Sequence, residues 1–311
     1  MRRRFLLVHN PIAGLDGRRL VHEVEAGLVH LGAEVTRYDG APADLPAVLR
    51  DAAGSIDAVI AAGGDGTIRA LAAVLDQYNL PLGVVPMGTG NVLAHEIALP
   101  TSAVGLANVL LHGPVRRFAG ARANGEPFFL MAGAGFDGEV IRRLDTPLKR
   151  RIGKAAYASP LLNTLRAPHP RLVVEVDGQP HEAQWVVVTN ARRYGGAFVI
   201  SPGAGLERQG LVAVLFKTPG RFALLRQLLA LGVGRLQNAR GVEMLPCSRV
   251  SIRCASDVFS QIDGDPFVAT PLDVEAGGVH VDLIVPDAYD RRLARDEAAQ
   301  QGQASETGGA G

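Results

Sequence analysis

The feature that most constrains this chain is an alternation of two hydrophobic periods over its first hundred residues. "RRFLLVHN" (3–10) reads as a short apolar strand. "RRLVHEVEAGLVHLG" (18–32) carries Leu20, Val21, Val24, Leu28 and Leu31 at helical spacing and stops at Gly32. "AEVTRYD" reads as a second strand and "ADLPAVLRDAAG" as a short helix. "DAVIAAGG" is apolar throughout, as a strand covered on both faces must be. "TIRALAAVLDQY" is helical, "LPLGVVPMG" is a fourth strand, and "NVLAHEIAL" opens another helix. Strands and helices alternating across short loops predict a parallel sheet with helices on both faces.

From about Arg116 the texture changes. "VRRFAGARANGEPFFLMAG" reads as two strands turning at "ANGE", and "RLVVEVDGQPHEAQWVVVTN" as a hairpin turning at Asp177–Gly178. "GLVAVLF", "SRVSIRCAS", "FSQIDGDPF" and "GGVHVDLIVP" continue the strand pattern, interrupted by the amphipathic "RFALLRQLLALGVGRL". Strand runs after βα units predict a second, mainly antiparallel domain. The expected division is an α/β domain over 1–118, rejoined by 286–298, a β-rich domain over 119–285, and a disordered tail over 299–311.

Composition excludes several classes. A net charge of +1 argues against a strongly basic nucleic-acid binder, so no nucleic-acid partner is expected. Two cysteines, Cys247 and Cys254, make no disulfide framework and fit a reducing cytoplasm. "FLLV" is too short for a signal core, and no window of about 18 uncharged apolar residues exists to span a membrane.

Three glycine-rich loops follow apolar strands and precede helices: "NPIAG" (Asn10–Gly14), "GGDGT" (Gly63–Thr67) and "PMGTGN" (Pro86–Asn91). They fall on the carboxyl edge of the sheet, where open α/β folds bind ligands. Glycines there let backbone N–H groups approach phosphate oxygens, aided by helix N-termini. As simple βα turns the loops would explain their glycines but not Asp65. Neither a P-loop nor a Rossmann fingerprint is present.

In order and spacing these three loops resemble the diacylglycerol kinase catalytic family, which includes bacterial soluble lipid kinases and the sphingosine and ceramide kinases. "FLMAGAGFDGEV", "KRRIGKAAYA", "TNARRYGGAFVISPGAGL" and "QIDGDPF" extend the resemblance over roughly residues 4 to 290. The resemblance implies an α/β nucleotide domain, a β-sandwich domain and a site in the cleft between them. It implies ATP and Mg2+, and transfer to the primary hydroxyl of a lipid, diacylglycerol-like first and sphingoid or other long-chain alcohols next.

By the same resemblance Gly63, Gly64, Gly66 and Thr67 form the phosphate loop. Gly88, Thr89, Asn91 and Thr36 contact the nucleotide, and Asn10 shapes its pocket. Asp65 is the motif acid, taking a proton from the attacking hydroxyl or organising a magnesium-bound water. Asp265 replaces a glutamate that acts as catalytic base in the family and falls short by about 1.5 Å, one C–C bond. Gln209 stands where the family places a magnesium-holding aspartate, with the Leu206 and Leu211 carbonyls beside it. A neutral amide there holds the ion more weakly, unless Glu207 substitutes.

Arg142, Arg143, Lys149, Arg150, Arg151 and Lys154 read as a solvated helical face, with contact to anionic lipid headgroups as the functional alternative. Arg192 and Arg193 face either phosphates or membrane. Phe222, Leu224, Leu225, Leu228 and Leu229 read as core in preference to a membrane anchor. His95 reads as a residue near the nucleotide domain's core, and Trp185 as packing. Together these predict a cytoplasmic ATP- and Mg2+-dependent lipid kinase, peripheral to the inner membrane face, with homodimerisation open. The competing readings are a kinase of a soluble acceptor such as NAD, and a nucleotide-binding protein with weakened catalysis.

Overall fold

A computed structural model describes residues 1–9, 15–40, 44–145, 147–148 and 153–296. Asn10 with the rest of its loop, Lys149–Arg151 and the tail from 297 onward lie outside the described residues, as does the side chain of Lys154.

Strands β1 (Arg4–His9), β2 (Glu34–Tyr38), β3 (Ala58–Gly63) and β4 (Leu82–Pro86) are parallel, in the order β2-β1-β3-β4. All six residues of β3 are buried, as its unbroken apolar run predicts. Val59 and Ala61 face helix α3 (Asp65–Leu75) through Ile68, Leu71 and Leu75, and helix α2 (Leu45–Ala52) through Leu45 and Leu49. Ala58, Ile60 and Ala62 share the opposite cluster with Val21, Val24 and Leu28 of helix α1 (Leu15–His30). The short helix α4 (Val92–Glu96) follows β4, and helix α5 (Ala103–His112) completes the second face through Leu106 and Leu110.

Strand β5 (Val115–Ala123) begins the second region, and the expected boundary at 118 lies inside it. β6 (Glu126–Phe128) returns through Asn124 and Gly125, both at positive φ, as the "NG" signal predicts. β7 (Met131–Ala134), α6 (Phe136–Arg142) and α7 (Ala158–Arg166) follow. Strands β8 (Leu172–Val176) and β9 (Gln179–Ala183) form the hairpin at Asp177–Gly178. Then come β10 (Trp185–Thr189), the two-residue pair β11 (Arg193–Tyr194) and β12 (Phe198–Val199), β13 (Leu211–Phe216) and α8 (Arg221–Gly232). β14 (Val242–Cys247), β15 (Arg249–Arg253), β16 (Phe259–Ile262), β17 (Asp265–Ala269) and β18 (Leu272–Ile284) close the strand list.

One long strand joins the two regions. β18 pairs with β4 in parallel at Leu283–Leu82, with β5 along two stretches, and with β15 at its other end. The ladder with β5 is interrupted between Ala276 and His280, where Gly277 and Gly278 take positive φ. The parallel sheet therefore continues into the antiparallel strands β15, β8 and β9. That layer packs on a second sheet of order β14-β13-β10-β7-β16-β17, with Val174, Val250, Ile252 and Leu272 meeting Ala132, Val186, Val188 and Leu215. After β18 the chain is helical over 287–296, and Tyr289 and Leu293 are buried.

Trp185 is packing, as expected, stacked on Phe216 with ring centroids 3.8 Å apart. Two expectations are corrected. His95 is exposed on α4, which instead buries Val92, Leu93 and Glu96. The apolar stripe is core only in part: α8 buries Ala223, Leu224, Gln227 and Leu231 and packs half-buried Leu228 against the core, but leaves Phe222, Leu225 and Leu229 exposed. The helix is apolar around most of its circumference, so its sequence did not reveal which face turns inward.

Candidate active site

The "GGDGT" and "PMGTGN" loops lie side by side because β3 and β4 are neighbours, with Gly63 opposite Pro86 and the Met87 N–H bonded to the Gly63 carbonyl at 2.9 Å. None of Gly63, Gly64, Gly66 or Gly88 takes a positive φ, so conformational freedom is not why they are glycines. Close approach is. A Cβ on Gly88 would stand 2.9 Å from the Gly64 Cα, backbone against backbone. Replacing Gly88 with Ala should therefore push the two loops apart and destabilise the fold by about 1–3 kcal/mol. Thermal melts of the Gly88→Ala protein check the number.

Asp65 opens α3, and its carboxylate reaches across to the other loop. It accepts the Val92 N–H at 3.0 Å and the Leu93 N–H at 3.2 Å, capping α4 from outside that helix. Asn91 precedes α4 in the left-handed region, φ 47°, and its side-chain oxygen is buried with no protein partner among the described residues. Thr67 packs on Gly63, and Thr89 is half-buried within its loop. Thr36 is exposed on the edge strand β2, opposite Leu6 of β1. The paired glycine loops and the N-terminus of α3 suit a phosphate group, while the orphan Asn91 oxygen, an acceptor, suits a hydrogen-bond donor instead.

The β-rich region sends one turn into this edge. Between β16 and β17, Asp263 takes φ 49°, and its buried carboxylate accepts N–H groups of Phe129, Leu130 and Met131 at 2.9, 2.9 and 3.0 Å. Burial raises its pKa to about 6, against the pull of those donors and of Arg69. Gln261 accepts the Gly264 N–H and donates to buried Asp137. With the turn so held, Asp265 projects onto α3. It pairs with Arg69 at 3.0 Å and packs on Gly66, where a Cβ would lie 2.5 Å from its carboxylate. The shorter side chain thus lies against Gly66 of the loop.

Burial likewise raises the Asp137 carboxyl to about 6. The folded chain then holds a proton that the unfolded chain has released, so stability falls as pH rises from about 4 to 6 and is level above. Asp137→Asn should remove this slope, worth up to about 3 kcal/mol. Denaturant titrations of both proteins across that window test it: an unchanging difference between them would refute the assignment.

Arg69 was missed from the sequence because its meaning depends on Asp265, 196 positions away. Glu96 was missed too. It is buried, accepts the Arg193 N–H at 2.9 Å, and so ties α4 to the β11 segment, with burial raising its pKa. Arg192 donates to the Ala204 carbonyl and pairs with Glu207; Arg193 donates to the Ala197 carbonyl. Arg142 and Arg143 both pair with Glu139, as a solvated helical face would.

The expected magnesium group fits poorly. Gln209 is exposed, Leu206 and Leu211 are buried, and Glu207 is occupied by Arg192 and the Tyr289 hydroxyl. Among the described residues no cluster of three His, Cys, Asp or Glu side chains could hold a metal ion. One neutral amide with two carbonyls lacks the charge that a hard dication needs.

The diacylglycerol kinase catalytic domain family matches residues 4–123, and the YegS C-terminal NAD kinase beta sandwich-like domain matches 131–287. A diacylglycerol kinase of Mycobacterium tuberculosis is 29% identical over 292 residues, covering 89% of this chain and 92% of that protein. An uncharacterized Synechocystis protein is 28% identical over 213 residues, 64% of this chain; the match spans 49% of that longer protein. The crystal structure of a diacylglycerol kinase from Bacillus anthracis superposes with a TM-score of 0.71 at 22% identity, covering 92% of this chain and 98% of that one. That likeness speaks to fold.

Proposed function

This chain belongs to the diacylglycerol kinase catalytic family, and from that premise we propose that it transfers the γ-phosphoryl group of ATP to the primary hydroxyl of a diacylglycerol-like lipid. The observation that carries the reading is the convergence of Asp265, Arg69 and Gly66, which brings a carboxylate and a cation from two regions to one phosphate loop. The lipid oxygen attacks the γ-phosphorus as the bond to the β,γ-bridging oxygen breaks and ADP leaves. Asp265 takes the hydroxyl proton, and Arg69 offsets charge on the transferred group. Asp65 holds the two loops at the spacing the phosphates need. Magnesium carried by ATP would supply counter-charge to the phosphates, and no protein cluster for it is invoked.

The test is direct. Full-length protein with γ-labelled ATP, magnesium and total lipid extract should yield a chloroform-soluble labelled product. Label appearing on NAD would overturn the lipid assignment. The neutral Gln209 favours a second reading, an enzyme with weakened metal use. Gln209→Asp should then raise turnover at limiting magnesium.

A further inference from the structure

We propose that the outer face of α8, with the adjoining α7, docks this protein on an anionic lipid bilayer. Phe222, Leu225, Leu229 and Val233 recur at three- and four-residue intervals along one stripe and are 74%, 42%, 62% and 71% exposed. Leu161 and Leu162 of α7, which packs beside α8, are exposed as well. Exposed Arg221 and Arg226 flank the stripe, and Arg235 follows it.

Charge selects the occupant. The chain as a whole carries 32 Lys and Arg against 31 Asp and Glu, yet 208–242 holds six cations and no acid, and 153–174 holds three and none. A second copy of this chain would bring like charges together across a two-fold axis with no acid from these segments to answer them. Lys217 and Arg171 are answered within the chain by Glu243 and Glu182, but exposed Arg221, Arg226 and Arg235 beside the stripe are matched by an anionic bilayer, while the stripe enters the headgroup boundary.

Docking here rests on the lipid-kinase reading for its purpose, but it can be measured with no nucleotide present. Wild-type protein should co-sediment with vesicles of phosphatidylcholine and phosphatidylglycerol, and far less with phosphatidylcholine alone or at high salt. Phe222→Glu/Leu229→Glu should weaken binding at least about tenfold, and Arg221→Gln/Arg226→Gln/Arg235→Gln on the order of 100-fold. Because these side chains are exposed, melting temperatures should hold. Activity on a dispersed short-chain diacylglycerol should be unchanged in both variants while activity on vesicle-borne substrate falls. Vesicle binding without any kinase activity would uphold docking and sink the kinase reading. Three results would overturn docking: no wild-type binding to anionic vesicles, variants that bind as wild type does, or a wild-type dimer that Phe222→Glu/Leu229→Glu dissociates.

Discussion

Asp65→Ala should lose at least about 1,000-fold in turnover, and should also bind ATP more weakly and melt several degrees lower. The first loss alone would fit a simple catalytic base, for which about 100- to 10,000-fold is typical. The other two follow from geometry. The carboxylate satisfies the Val92 and Leu93 N–H groups, and removing it leaves two donors of a helix start unpaired. Losing a charged acceptor of this kind costs about 1.5–3 kcal/mol. The "PMGTGN" loop would lose its register against "GGDGT", and a shift of about 1 Å at reacting groups can cost about 100-fold by itself. Asp65→Asn keeps one acceptor oxygen and should restore much of the melting temperature but less of the rate. Calorimetry, ATP titration and turnover on the same preparations decide the matter. If Asp65→Ala melts and binds ATP as wild type does, the clamp is wrong.

Asp265→Asn should show the opposite signature. Turnover falls by about 100- to 10,000-fold, while ATP affinity and melting temperature change little. The ion pair with Arg69 is partly exposed, and such pairs add only about 0–1 kcal/mol to stability. Arg69→Gln should also reduce turnover, and Arg69→Lys should recover part of it, because a compact ammonium keeps the charge but loses the guanidinium's planar geometry. Asp265→Glu, the family's own residue, should stay within about tenfold of wild type once the longer carboxylate finds room beside Gly66. A fall in stability as large as that of Asp65→Ala would make Asp265 a structural residue.

The two mutations differ for a reason that also separates what could be read from sequence. The loops around Asp65 are local: their glycines, helix starts and strand ends fall within a few residues, so "GGDGT" and "PMGTGN" were legible as a pair. In sequence, phosphate approach accounts for their glycines. In the fold, Gly64 and Gly88 are glycines at least partly because the loops touch each other. Asp265 was legible as a motif acid, but its partner was not, since Arg69 reads as one more helical cation until the turn at Asp263–Pro266 lands on α3. Glu96 and Asp137 share that character. Their burial comes from segments remote in sequence, and burial is what raises their pKa values.

The same division holds at the scale of the molecule. Hydrophobic period and loop chemistry, both short-range, determined by themselves the parallel α/β layer, the hairpins at Asn124–Gly125 and Asp177–Gly178, and the edge on which a ligand would bind. Tertiary structure alone decided that β18 carries one sheet through both regions, that Asp65 clamps a second loop, and that Phe222, Leu225 and Leu229 face outward. Those outcomes depend on which surfaces meet, and a residue's neighbours across a sheet or a helix interface are set by chain segments far from it along the sequence.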